Sequence, residues 1–130
     1  MAMTQDTERA EDQARAQLDS IIEMVQALDT EDDDAREAAE QTIQEDALSV
    51  QVRSGWYSPG TTPEAEEYEI LLCTGGPAVR ITGQLGRYNE PDTARIEYQD
   101  WFTPWTEFLD TSAEEGEAVL TYAQQFFFGS

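Results

Sequence analysis

The stretch "LSVQVR", residues 48–53, decides the fold. Leu48, Val50 and Val52 alternate with Ser49, Gln51 and Arg53. That is the period of two of a half-buried strand. Upstream the period is helical. Ala14, Leu18, Ile21, Ile22, Val25 and Leu28 recur at spacings of three and four and make one apolar stripe. Thr7 or an earlier polar residue is positioned to cap this first helix. A second helix is expected from near Thr30, with Asp33 three residues on as a short-armed capping box. Its stripe is small: Ala35, Ala38, Ala39 and Thr42, with Ile43 beside it. Small residues permit close approach, so residues 1–47 predict a helical hairpin.

Downstream the period of two persists. "YEILLCT" (68–74) is apolar on both faces near Leu71 and Leu72, and predicts a central strand. "AVRITGQL" (78–85) follows the tight "GGP" turn (75–77), with Val79, Ile81 and Leu85 inward. "ARIEYQDW" (94–101) is the fourth strand, with Ile96 and Tyr98 inward. The loops are short, as an antiparallel meander requires. At Ser112 the helical period returns. Ser112 and Glu115 match a capping box, and Val119, Leu120, Ala123, Phe126 and Phe127 offer a buried face. The expectation is one α+β domain, 1–130. It has an acidic helical hairpin over 1–47, a four-stranded antiparallel sheet over 48–111 and a C-terminal helix over 112–130.

Charge narrows function further. The chain carries 28 acids and 7 basic residues, all arginine, for a net charge of −21. Residues 1–47 hold 15 acids and 3 arginines, net −12; residues 48–111 are −6 and 112–130 are −3. Seven arginines cannot assemble the basic patch that nucleic acid or an anionic membrane demands, so a basic protein partner is expected instead. A halophilic source or plain solubility would also explain an acidic surface. No apolar run approaches the ~20 residues of a membrane helix. The opening "MAMTQDTERAEDQ" has no signal-peptide pattern, and the lone Cys73 suits a reducing compartment. The expected location is cytoplasmic.

Catalytic motifs are weak. In "DTEDDDAREAAE" (29–40), Asp29, Glu31, Asp33, Glu37 and Glu40 fall on EF-hand positions 1, 3, 5, 9 and 12. Asp34, however, stands where the loop needs glycine, and helical patterning runs through the segment. Cys73 lies in an apolar strand, and the chain has no histidine to activate it. The same lack removes histidine-based serine triads and the usual zinc sites. "CTGGPAVRITG" lacks the lysine and the following helix of a phosphate loop. Nothing singles out one carboxylate pair for glycoside chemistry. No enzyme activity, cofactor or metal is expected. Arg53, Arg80 and Arg95 share an outer sheet face with Glu69 and Glu97, which predicts cross-strand ion pairs.

Two stretches, "EYEILLCTGGPAVRITGQL" (67–85) and "ARIEYQDWFTPWTEF" (94–108), resemble a family of small uncharacterised acidic proteins encoded by bacteriophages and mobile elements of proteobacteria. The resemblance spans roughly residues 44–128 and brings no site residues with it. It implies genomic company in which small proteins often inhibit host systems.

Two binding surfaces are therefore in view. On the helices, Glu8, Asp12, Asp19 and Glu23 form one outward column; Asp33, Glu37 and Glu40 form another, with Asp34 beside it. Carboxylates at i, i+4 stand about 6 Å apart along a helix, close to two phosphate steps of one DNA strand. This surface suits a host nucleic-acid-binding complex of a defence system, engaged by a monomer or weak dimer. The alternative is an interaction or phage accessory module that uses Trp56, Tyr57, Trp101, Phe102 and Trp105, its charge serving solubility. These aromatics also suit core closure where sheet meets helix.

Overall fold

The computed structural model describes residues 2–75, 77–100 and 103–129, with side chains from residue 9 onward. Three helices and five strands follow in the order α1 (Ala2–Gln26), α2 (Asp33–Asp46), β1 (Ser49–Arg53), β2 (Glu67–Cys73), β3 (Ala78–Gln84), β4 (Arg95–Gln99), β5 (Thr106–Glu107) and α3 (Ala113–Ala123). The strands form one antiparallel sheet in sequential order. The fold is α+β, with helices on one face of a meander. The sheet has five strands rather than the expected four. The extra strand pairs Thr106 with Tyr98 and Glu107 with Glu97, and Phe108 N–H donates to Ile96 O at 2.8 Å. Two residues give too little alternation to read from sequence.

The core lies between α1, α3 and the inner sheet face. Tyr68, Ile70 and Leu72 of β2, Val79 and Ile81 of β3, and Ile96 and Tyr98 of β4 point into it. They meet Ala10, Ala14, Leu18 and Ile21 of α1 and Val119, Tyr122 and Ala123 of α3. The α1 stripe falls where the spacing put it, extended by Ala10. Strand β2 alternates strictly, so Leu71 faces outward rather than into a second core. The register slips between Leu71 and Cys73, and Cys73 then sits against Gln13 and Gln17 of α1. Gly83 answers a close approach: a Cβ there would stand 1.9 Å from Thr93 O.

Five expectations fail in detail. The main helical neighbour of α1 is α3, because α2 buries only Ala39 and Ile43. Ala35, Ala38 and Thr42 stay exposed, so the hairpin closes only along the C-terminal half of α2. Helix α2 is capped by Asp32, whose carboxylate accepts from Asp34 N–H at 3.0 Å, while Thr30 accepts from Asp32 N–H. Helix α1 is already under way at Ala2, well before Thr7. Strand β1 is an open edge: Leu48 and Val52 are 58% and 45% exposed, and only Val50 reaches the core. The chain leaves helix after Ala123, so Phe128, not Phe127, turns inward and packs on Tyr68 at 5.0 Å between ring centroids. The Ser112–Glu115 capping box forms as expected.

Candidate functional site

The acidic columns ride on helices pinned to the rest of the chain. Tyr98 Oη donates to Glu11 Oε1 at 3.0 Å, tying α1 to β4. Tyr122 Oη donates to Asp46 Oδ2 at 2.7 Å, tying the end of α2 to α3. Arg15 reaches from α1 to Glu115 of α3 at 2.7 Å. These contacts move the groups they join. Burial, and then Glu11, push the Tyr98 hydroxyl above its ordinary pKa. Burial, and then Asp46, do the same to Tyr122. The Arg15 guanidinium holds the Glu115 carboxyl below the usual range.

On this frame Asp12, Asp19, Glu23, Asp33, Asp34 and Glu37 are exposed and Glu40 is half-buried. Asp19 takes an i,i+4 bond from Arg15 at 3.1 Å. Asp33 and Asp34 occupy the first turn of α2, where the helix dipole favours negative charge. Arg36 turns back to Thr30 O at 2.6 Å and braces the connector rather than neutralising the column. Glu8 lies outside the residues with described side chains. Among the described residues no cluster of three or more ligating side chains could hold a metal ion, and the 29–40 segment is helix from Asp33 on, without the turn of a calcium loop.

The aromatic candidates divide. Trp101 and Phe102 lie outside the described residues. Trp56 is wholly exposed and Tyr57 largely so, in the loop after β1; neither closes the core. Trp105 is half-buried on the outer sheet face, its ring 4.1 Å from the Arg80 guanidinium. The structure therefore separates Trp56 and Tyr57 from Trp105, which the sequence reading places on one surface.

That outer face carries the ion pairs expected from register. Arg80 bonds Glu97 at 2.8 Å and Glu69 at 2.6 Å, and Arg95 lies 3.4 Å from Glu97. Thr82 Oγ1 donates to Glu97 and accepts from Arg95. Arg53 pairs with Glu67. Only 8% of Glu97 is exposed, although it points away from the core. The surrounding concavity, about 590 Å³, runs across β1–β4. Its charged groups are already paired to one another, and among the described residues no buried side-chain polar atom lacks a partner. Glu69 and Glu97 are both held by the Arg80 guanidinium, and Glu107 of β5 stands opposite Glu97 in the register. Burial raises the Cys73 thiol, with Val79, Gln13 and Gln17 pulling the other way; a raised thiol is a poor nucleophile.

No family profile, curated protein or solved structure matches this chain.

Sequence spacing found the arginine face and the exposure of Asp12, Asp19, Glu23, Asp33, Asp34 and Glu37, whereas Glu40, expected outward, is half-buried. It missed the Tyr98–Glu11 and Tyr122–Asp46 anchors, because long-range side-chain pairs leave no local period. The stacking of Trp105 on Arg80 escaped for the same reason. No helix among the described residues is long and apolar enough to cross a membrane.

Proposed function

We propose that the chain is a non-catalytic binding protein, of the kind carried by bacteriophages, whose acidic helical face occupies a basic protein surface that otherwise receives nucleic acid. The expected partner is a host nucleic-acid-binding complex of a defence system. The observation that carries the reading is the anchoring of α1 and α2 beneath exposed carboxylates. Charge on a disordered tail gives loose attraction, whereas charge at fixed helical spacing matches a groove. The i, i+4 pairs Glu8–Asp12, Asp19–Glu23 and Asp33–Glu37 stand about 6 Å apart along the helix axis against two phosphate steps of about 6.8 Å. Long-range attraction of this kind speeds association and weakens with salt.

The test is capture of binding proteins from a bacterial lysate on the immobilised chain, with and without duplex DNA as competitor. The reading expects nucleic-acid-binding proteins that duplex DNA releases. Captured proteins indifferent to DNA would overturn it. A second reading, an interaction module using Trp56 and Tyr57, is favoured by one observation: a tryptophan fully in solvent. Its signature is loss of the captured protein in a Trp56→Ala variant that keeps all its carboxylates.

A further inference from the structure

The sheet has two edges, and they are treated differently. Strand β5 is two residues long, follows Pro104 and carries Glu107. Strand β1 is five residues long, with no proline and no acid, and among the described residues one row of its backbone N–H and C=O groups has no strand beside it. Long open edges are usually blunted by charge, proline or a bulge; β1 has only Arg53, and that side chain is paired with Glu67. Its own stretch of chain is bare of acids, although Glu66 packs against Gly55 and Glu67 and Glu69 of β2 lie opposite Arg53 and Gln51. No acid occurs from Ala47 to Pro63, 17 residues of a chain with 28 acids in 130. The same stretch holds four exposed large apolar residues, Leu48, Val52, Trp56 and Tyr57.

We infer that β1 is the contact surface for a second copy of the chain, joined antiparallel about a twofold axis through Gln51. The pairing is self-complementary. Gln51 meets Gln51 of the second copy. Val50 meets Val52 on the helix-bearing face, and Ser49 meets Arg53 on the other. Leu48 then faces the start of the second copy's 54–57 loop. A twofold contact uses up both long edges at once and leaves only the short β5 edges outside, so assembly stops at two. Charge selects a copy rather than a basic partner for this surface. Most of a −21 chain repels its like, and a strand with no acid of its own, whose nearest acid Glu67 is already paired with Arg53, is where two such chains can meet. A basic protein would instead be served by carboxylates. The area suffices: Trp56 and Tyr57 offer on the order of 150–250 Å² each. With Leu48, Val52 and the strand backbone, two copies approach the roughly 1,000 Å² of a small specific interface.

The salt response has a sign opposite to that of basic-partner binding. The contact is apolar and the two copies repel, so added salt tightens the dimer. Sedimentation velocity of the full chain at 50 mM and 1 M NaCl, over a concentration series reaching about 1 mM, reads the mass against 14.6 kDa for one copy. The expected result is a dimer fraction that rises with salt. Gln51→Glu places like charges on the axis and weakens the dimer about tenfold or more, as does Gln51→Lys, with circular dichroism unchanged. Mixing the two variants restores dimers, because opposite charges then face each other. A chain monomeric at 1 M NaCl throughout the series overturns the inference and leaves the edge to another protein's strand. A dimer indifferent to both variants, or one that loosens with salt, overturns it as well.

Discussion

Replacing Arg80 with methionine removes the centre of the outer-face network while keeping most of the side chain's volume. Three contacts go: Glu97 at 2.8 Å, Glu69 at 2.6 Å and the Trp105 ring at 4.1 Å. Glu97 is then left nearly buried with Thr82 Oγ1 at 3.2 Å and Arg95 at 3.4 Å. Breaking a fully buried pair from one side costs about 3–5 kcal/mol. Here the Arg80 side chain is 22% exposed and Glu97 keeps two partners, so about half of that, roughly 2 kcal/mol, is expected. Loss of the cation–π contact adds about 0.5–1 kcal/mol. The total, about 2.5 kcal/mol, lowers a urea midpoint by about 1–2 M at an m-value near 2 kcal/mol/M. The assay is urea unfolding followed by circular dichroism, with Glu97→Gln and the double variant completing a cycle. A coupling of about 1–3 kcal/mol between the two positions is expected. A midpoint shift under about 0.3 M, with m unchanged, would refute the reasoning. The arginines would then be ornamental to the fold and free for an anionic ligand.

Three further outcomes follow from the same structure. Gly83→Ala forces a methyl against Thr93 O and the Tyr68 ring and should cost about 2–3 kcal/mol, read as a lower urea midpoint; a neutral result contradicts the close approach. Tyr68, Tyr98 and Tyr122 have hydroxyls raised chiefly by burial, so their contribution is complete below the unfolded tyrosine pKa near 10 and fades as pH climbs beyond it, when the unfolded chain releases protons that the folded chain retains. Melting temperatures between pH 8 and 11.5 should fall at the alkaline end; a flat profile contradicts the burial. Cys73, half-buried with a raised thiol, should react with a thiol reagent about tenfold or more slower in the native chain than in denaturant, and equal rates would place it in solvent.

The fold was largely legible because periodicity is local. The α1 stripe, strands β2–β4 and the α3 capping box all follow from spacing within a dozen residues. What escaped was decided at a distance. Leu48, Val50 and Val52 alternate well, yet β1 is an edge, and an edge is defined by the strand that fails to come. Ala35 and Ala38 fit a helical stripe, but α3 takes the place beside α1 that α2 was expected to fill. Phe127 lost its place to Phe128 because the helix stops at Ala123. At the candidate site, exposure of Asp12, Asp19, Glu23, Asp33 and Glu37 was readable from their angle to the apolar stripe, while the half-burial of Glu40 was not. The tyrosine anchors that fix the helices join residues 76 and 87 positions apart and have no signature in sequence.

The central claim, that the acidic helical face does the binding, is tested most directly by neutralising Asp33, Glu37 and Glu40 together as Asn, Gln and Gln. Association with the protein captured from lysate is then measured across a salt series. At about 4 Å in water a charge pair is worth about 1 kcal/mol, which screening cuts to about 0.6 at 0.15 M salt and about 0.3 at 1 M. Three such losses predict about 20-fold weaker binding at 0.15 M and only about fourfold at 1 M, with the fold intact. Unchanged affinity and salt slope in this variant, alongside loss of binding in folded Trp56→Ala, would contradict the claim and assign the contact to the aromatic loop.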